Sequence, residues 1–205
     1  MDILLGNKTS FDLEYSPEIL FPIERSAARK KNGINNILFN GYDVWNSYEF
    51  SYLNDKGKPE NRILRLIYPS DSQNIIESKS LKLYLNSLNA ERFNSAEAVR
   101  ERIANDLSAR AGDQVSVTFG LPETESRSTG ELIDALDLDI DDYGPPNPGY
   151  LSADPAHVVE ELLVSHLLKS NCPVTGQPDW GTLIVDYCGP RLDPASLLAA
   201  MQQAM

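Results

Sequence analysis

From residue 43 to residue 53 the side chains alternate, with Val44, Tyr48, Phe50 and Tyr52 on one face and Ser47, Glu49 and Ser51 on the other. A period of two is the pattern of a strand with one face covered. Asn54, Asp55, Lys56 and Gly57 then supply turn chemistry, and an apolar run resumes over 62–68 through Ile63, Leu64, Leu66 and Ile67. The reading is an antiparallel hairpin whose covered face must be packed by the rest of the chain. A fainter echo lies far downstream. Trp45 to Tyr52 and Trp180 to Tyr187 share one spacing, tryptophan, six residues, tyrosine, each on a strand followed by a turn. That repeat suggests two copies of one β-rich unit.

Between the two copies a helix is well marked. Asn94 or Ser95 opens it, Val99, Ile103 and Leu107 recur at four-residue spacing, and Gly112 follows its end. Val115, Val117 and Phe119 alternate as a further strand. Residues 122–156 are turn-rich and acidic, with Gly144–Gly149 in their middle, and a module boundary is expected there. The expected division is a first module over 1–143, a linker over 144–156 and a second module over 157–205. Residues 158–170 are apolar without a decisive period, and 193–205 suffice only for a short helix.

Composition narrows the function. The chain has 205 residues with 41% hydrophobic and 23% charged, ordinary values for a globular protein. Thirty acidic against eighteen basic residues give a net charge of -12, which disfavours direct nucleic-acid binding. The N-terminus has neither the basic start nor the long apolar run of a signal peptide, and no stretch is long enough to span a bilayer, so a cytoplasmic location with no membrane partner is expected. Cys172 and Cys188 form no Cys-x-x-Cys motif, and with His157 and His166 they give no metal-ligand spacing. Asp137, Asp139 and Asp141 space like the start of a calcium loop. That loop needs glycine where Asp142 stands and glutamate where Pro148 stands, so no metal is expected.

The residues with chemical potential fall in two places. Cys172 sits in a Pro/Gly-rich turn and Asp179 follows seven residues later, after Gly176 and Pro178 let the chain double back. A thiol beside a carboxylic acid suits addition to an electrophilic carbon with protonation of the product, although a lone cysteine reads by spacing alone as packing. Cys188, running into Gly189 and Pro190, keeps the packing reading, and His166 reads as an interior or edge histidine. Upstream, the alternating residues 77–84 read as a strand with one solvated face. Their serines and lysines equally fit an anion site at a strand-to-helix junction.

Two segments carry a resemblance. Glu77–Tyr84, Glu-Ser-Lys-Ser-Leu-Lys-Leu-Tyr, resembles the signature octapeptide of the 7-cyano-7-deazaguanine reductases (QueF). Ser170–Gly181, with Cys172 and Asp179, resembles that family's nucleophile-and-acid segment, and the order of the two is that of the two-module subfamily. Leu5–Asn7, Phe21–Ile23, Asn86–Asn89 and Leu163–Lys169 extend the likeness. The resemblance implies an α+β tunnelling fold (T-fold): tandem modules of antiparallel sheet with helices on one face, assembling as homo-oligomers. It implies an NADPH-dependent oxidoreductase of queuosine biosynthesis, a tRNA modification pathway. Cys172 would add to the nitrile of 7-cyano-7-deazaguanine to give a thioimide, and Asp179 would protonate the nitrogen. Ile76, Glu77 and Ser78 would hold the deazaguanine, while Ser78 and Lys79 would contact NADPH.

Two-module members continue past the point where this sequence stops, with a His-Glu pair and an Arg-Gly-Gly segment. Here no histidine follows His166 and no Arg-Gly-Gly occurs, so the second module is expected to be incomplete. One alternative is therefore a purine-binding relative that has lost turnover. Another is a thiol hydrolase acting on nitriles, against which the Glu77–Tyr84 segment argues, since that chemistry gives it no role.

Overall fold

The computed structural model describes residues 14–36, 39–121, 130–140, 147–171 and 178–202. The architecture is α+β, and the chain divides into two compact units, Met1–Glu123 and Thr124–Met205. The division falls earlier than the connection expected at 144–156. Glu131–Leu132 already pairs with a strand of the second unit, and Ile133 is buried in that unit's core.

In the first unit β1 (Pro22–Glu24) leads into α1 (Arg25–Lys31), followed by the long hairpin β2 (Tyr42–Asn54) and β3 (Pro59–Pro69). Then come β4 (Asn74–Ile76), α2 (Ser78–Ser87), β5 (Arg92–Phe93), α3 (Ala96–Ala111) and β6 (Ser116–Phe119). The main sheet has the order β5-β2-β3-β6, and β1 pairs with β4 in a small second sheet. The hairpin turn is built as its residues suggest, with the Asn54 side chain accepting from the Lys56 and Lys58 amides at 3.0 Å and Gly57 at a φ of 78°. Leu64, Leu66 and Tyr68 of β3 and Val117 of β6 face one way, into a core closed by Leu81, Tyr84, Leu85 and Leu88 around α2 and by Val99, Ile103 and Leu107 of α3.

The face assignment expected for β2 is corrected by a bulge. Ser47 pairs with Leu64 but Phe50 with Arg62, so β2 carries one residue more than β3 across that interval. An inserted residue reverses the phase of a period-two pattern. After the bulge Phe50 and Tyr52 are buried as expected; before it Trp45 packs on the core and touches the Tyr68 ring, while Tyr48 is exposed. A second correction concerns residues 77–84. They are the start of helix α2, not a solvated strand, and the buried set Leu81, Tyr84, Leu85 and Leu88 follows helical spacing.

α3 agrees with its sequence signals. The Ser95 hydroxyl accepts from the Ala98 amide at 3.1 Å, Val99, Ile103 and Leu107 are fully buried, and Gly112 closes the helix at a φ of 73°.

The second unit is a three-stranded sheet of β7 (Glu131–Leu132), β8 (Ala153–Asn171) and β9 (Pro178–Leu192), in that order, followed by α4 (Pro194–Gln202). The undecided run 158–170 is strand, paired antiparallel with β9 along its length. Leu197, Leu198 and Met201 of α4 bury Leu163 and pack on Leu183, Val185 and Tyr187. Here the register shifts lie in β8, between Asp154 and Val158 and between Ser165 and Leu168, and β9 alternates strictly from Trp180 to Pro190. Trp180 and Tyr187 therefore face opposite ways, Trp180 exposed and Tyr187 against the core, whereas Trp45 and Tyr52 both face their core. The common spacing does not carry a common burial pattern.

Candidate functional site

The site residues expected in the first unit meet at one junction. Ile76 ends β4 and is buried, and its neighbour Glu77 has an extended backbone that stops the strand and starts α2. The Glu77 amide donates to the Phe21 carbonyl at 2.9 Å, and the Phe21 amide donates to the Ser80 hydroxyl at 3.1 Å, so the residue before β1 grips the start of the helix. The Glu77 carboxylate closes the helix N-terminus. Its Oε1 accepts from the Lys79 amide at 2.8 Å and its Oε2 from the Ser80 amide at 2.7 Å. Those amides would otherwise lack partners, because the first turn of a helix has no preceding carbonyls.

Electrostatics follow from that geometry. The amide of Lys79, then that of Ser80, holds the Glu77 carboxyl below its ordinary value, so it is the anion that the site presents. An ionised carboxylate has about four lone-pair directions; Oε1 takes the Lys79 amide and, at 3.4 Å, the Ser78 hydroxyl, and Oε2 takes the Ser80 amide, which leaves acceptor capacity on Oε2 for a ligand. Ser78 and Lys79 are exposed beside it.

Sequence reasoning missed the hollow that adjoins this junction. A cavity of ≈ 270 Å³ lies between α2 and the bulged part of β2, lined on the helix side by Ser78, Leu81, Lys82, Leu85 and Asn86. Trp45, Ser47 and Phe50 line the strand side. Its floor is apolar and its rim polar, the usual make-up of a small-molecule site. The signal for the helix wall was present in Ser78, Lys82 and Asn86, spaced by four. It becomes legible only once 78–87 is a helix, and the bulge that opens the strand side has no sequence mark.

Of the second pair, Cys172 lies outside the described residues. Asp179 is on β9, exposed, and opposite Ser170 in the register, with Asn171 opposite Pro178 where the described strands end. Nearby, the Lys169 ammonium lies 5.6 Å from the centre of the Trp180 ring. Cys188 is exposed on β9 rather than packed, which corrects its expected role; the strict alternation of β9 puts it on the face away from α4. His166 is an edge residue, with Nδ1 2.9 Å from the Thr182 hydroxyl and its amide donating to Asp134 at 3.0 Å.

Comparison with known proteins decides the family. The model described as nitrile reductase, 7-cyano-7-deazaguanine-reductase N-term, matches residues 11–119. The NADPH-dependent 7-cyano-7-deazaguanine reductase of Stenotrophomonas maltophilia (strain R551-3) is 53% identical over 199 residues, covering 96% of this chain and 73% of the relative. That of Xanthomonas campestris pv. campestris (strain B100) is 55% identical over 198 residues, with the same coverage. The chain belongs to the 7-cyano-7-deazaguanine reductase family. The family's N-terminal model takes in Glu77, Ser78, Lys79 and every residue named above as lining the cavity, so the capped junction is part of the family region and not an appendage to it.

Proposed function

We propose that this chain reduces the nitrile of 7-cyano-7-deazaguanine to the aminomethyl base, using NADPH, in the queuosine branch of tRNA modification. The observation that carries the reading is the Glu77 carboxylate, ionised, oriented by two helix amides and still able to accept, next in the chain to Ser78, which lines a cavity in the family region. A deazaguanine offers a ring N–H and an amino group side by side, and a carboxylate accepts such a pair. Ile76 supplies a buried backbone next to the acceptor, and Ser78 a hydroxyl.

In the proposed chemistry the Cys172 sulfur adds to the nitrile carbon, turning the carbon–nitrogen triple bond into a double bond. Asp179 delivers the proton that the nitrogen needs, so no imide anion accumulates. Reduction at the thioimide carbon gives a thiohemiaminal, whose carbon–sulfur bond then breaks, returning the Cys172 thiolate and leaving an imine for the second reduction. Ser78 and Lys79 suit the cofactor by donor type, a hydroxyl and a flexible ammonium, both exposed at the positive end of α2. When bound, NADPH supplies hydride, in two equivalents for the four-electron reduction. The two units are read as tandem T-fold modules, and the working form as a homo-oligomer in the cytoplasm that acts on the free base rather than on tRNA.

The test is product analysis after incubation with 7-cyano-7-deazaguanine, with and without NADPH. Aminomethyl product with NADPH and a covalent adduct without it are expected. Binding without turnover, or hydrolysis to the carboxylic acid, would each overturn the reading.

A further inference from the structure

Behind the signature helix lies a polar contact that the proposed chemistry does not use. The Tyr84 hydroxyl, on the fully buried last residue of the signature, donates to Asp106 Oδ2 of α3 at 2.6 Å. The Tyr15 hydroxyl donates to the same oxygen at 2.7 Å. The Tyr15 and Tyr84 rings lie 6.3 Å apart, and the Arg102 guanidinium stands 5.1 Å from the centre of the Tyr15 ring. Burial and the bond to Asp106 push both phenols up, so they stay protonated and act as donors.

We propose that Asp106, through Tyr84, is a positioning residue that sets the rotation of α2 and thereby the place of the Glu77 carboxylate and of the α2 wall of the cavity. The proposal rests on the reading of Glu77 as the acceptor for the deazaguanine. Tyr84 is seven residues, nearly two helical turns, beyond the cap residue Glu77, so a rotation of α2 that moves one displaces the other. The apolar stripe of Leu81, Leu85 and Leu88 buries the helix but tolerates small rotations, since dispersion contacts are not directional. A hydrogen bond to a carboxylate is directional and short, and fixes one setting. The lever is large enough to matter. At a side-chain radius of ~5–6 Å a turn of ~10° about the helix axis moves a tip by ~1 Å. A misplacement of ~1 Å far from the chemistry can cost ~10²-fold in rate. A phenylalanine at 84 with an apolar partner at 106 would fill the same space without burying polar groups. What the carboxylate adds is a defined orientation.

Tyr15 supplies an internal control, because it binds the same oxygen but is not on α2. Compare Tyr84→Phe, Tyr15→Phe, Asp106→Leu and Asp106→Asn, each assayed well below its own melting temperature. Tyr84→Phe and Asp106→Leu should raise KM for the deazaguanine about tenfold or more, with a smaller change in kcat. Tyr15→Phe should leave KM near wild type, and Asp106→Asn, which keeps an acceptor, should restore most of it. The second readout needs no turnover: amide hydrogen exchange at Lys79 and Ser80, the groups capped by Glu77, should speed up in Tyr84→Phe relative to amides of α3. Wild-type KM together with unchanged exchange in Tyr84→Phe overturns the proposal, as does an equal KM effect in Tyr15→Phe. A wild-type protein that neither binds nor reduces the nitrile overturns the functional reading instead, and the exchange comparison then decides on Asp106 alone.

Discussion

A single carboxylate at Glu77 closes a helix end and still has lone pairs to offer, and the two duties make its variants informative. Glu77→Gln keeps the shape but turns one acceptor into an amide donor, which must face either a helix N–H or the substrate's own donors. Deazaguanine affinity should fall by at least ~10-fold, the scale of leaving buried polar groups mismatched; equal binding by calorimetry would return Glu77 to a purely structural cap. The same group predicts an acid limb. Its folded value lies below the unfolded one, so the cap contribution is present above the ordinary glutamate value of ~4.3 and is lost as pH falls through the lowered folded value. Thermal melts across that interval should show the loss in the wild type and a shallower dependence in Glu77→Gln. In the proposed reaction Cys172 and Asp179 serve two separate steps. Without NADPH, intact mass should find an adduct on the wild type and none on Cys172→Ala. Asp179→Asn should still bind but turn over ~10²-fold more slowly, the scale for removing a general acid. An adduct on Cys172→Ala, or full turnover by Asp179→Asn, would remove the respective role.

Helix α3 and helix α2 show why one element is legible and its neighbour is not. α3 announces itself by a serine cap, three buried residues at spacing of four and a terminal glycine, and each of these is a local rule. Ser95→Ala should therefore destabilise by about 1 kcal/mol in urea titration. Gly112→Ala should cost about 1–2 kcal/mol, because φ is 73° and a Cβ would also meet the Gln73 side chain at 2.8 Å. A melt for Gly112→Ala that matches the wild type would mean that the helix end relaxes into another conformation. α2 lacks those signals. Its cap is a glutamate rather than the usual serine, threonine, aspartate or asparagine, and Ser80, Leu81, Lys82 and Leu83 happen to alternate over the short stretch that a strand reading samples. The β2 bulge is invisible for another reason: a phase reversal looks like noise in one strand and acquires meaning only against its partner's register. Glu77 was marked in the sequence through its family pattern. The cavity beside it was not, because it exists only where that unmarked bulge meets that unmarked helix.

Among the described residues the two hydrophobic clusters share no member, the first joining a long hairpin to α2 and α3 and the second joining a long antiparallel strand pair to α4. The Trp-to-Tyr spacing suggested two copies of one unit, but the two stretches differ in burial, and nothing in the sequence marked where the second unit begins, since the short strand Glu131–Leu132 gains its meaning from a partner thirty-two residues away. Net charge is the property that every residue shares in, and at -12 it opposes the polyanionic cofactor, which Lys79, at the proposed cofactor site, would attract locally. The two effects have different reach. At ~0.01 M salt the screening length is ~30 Å and the field of the whole chain meets the approaching cofactor, whereas at ~0.15 M it is ~8 Å and only nearby charges count. KM for NADPH should therefore fall as salt rises from ~0.01 to ~0.15 M, as long-range repulsion is screened, and rise again towards ~1 M, where the contact at Lys79 is screened too. KM for the uncharged deazaguanine should stay nearly flat over the same range, which removes general effects of salt on the protein. In Lys79→Gln the low-salt limb should persist while the rise at high salt is lost. A KM for NADPH that climbs steadily from the lowest salt would mean instead that the cofactor meets a basic field extending well beyond Lys79, and that the acidic surface of the chain is turned away from its approach.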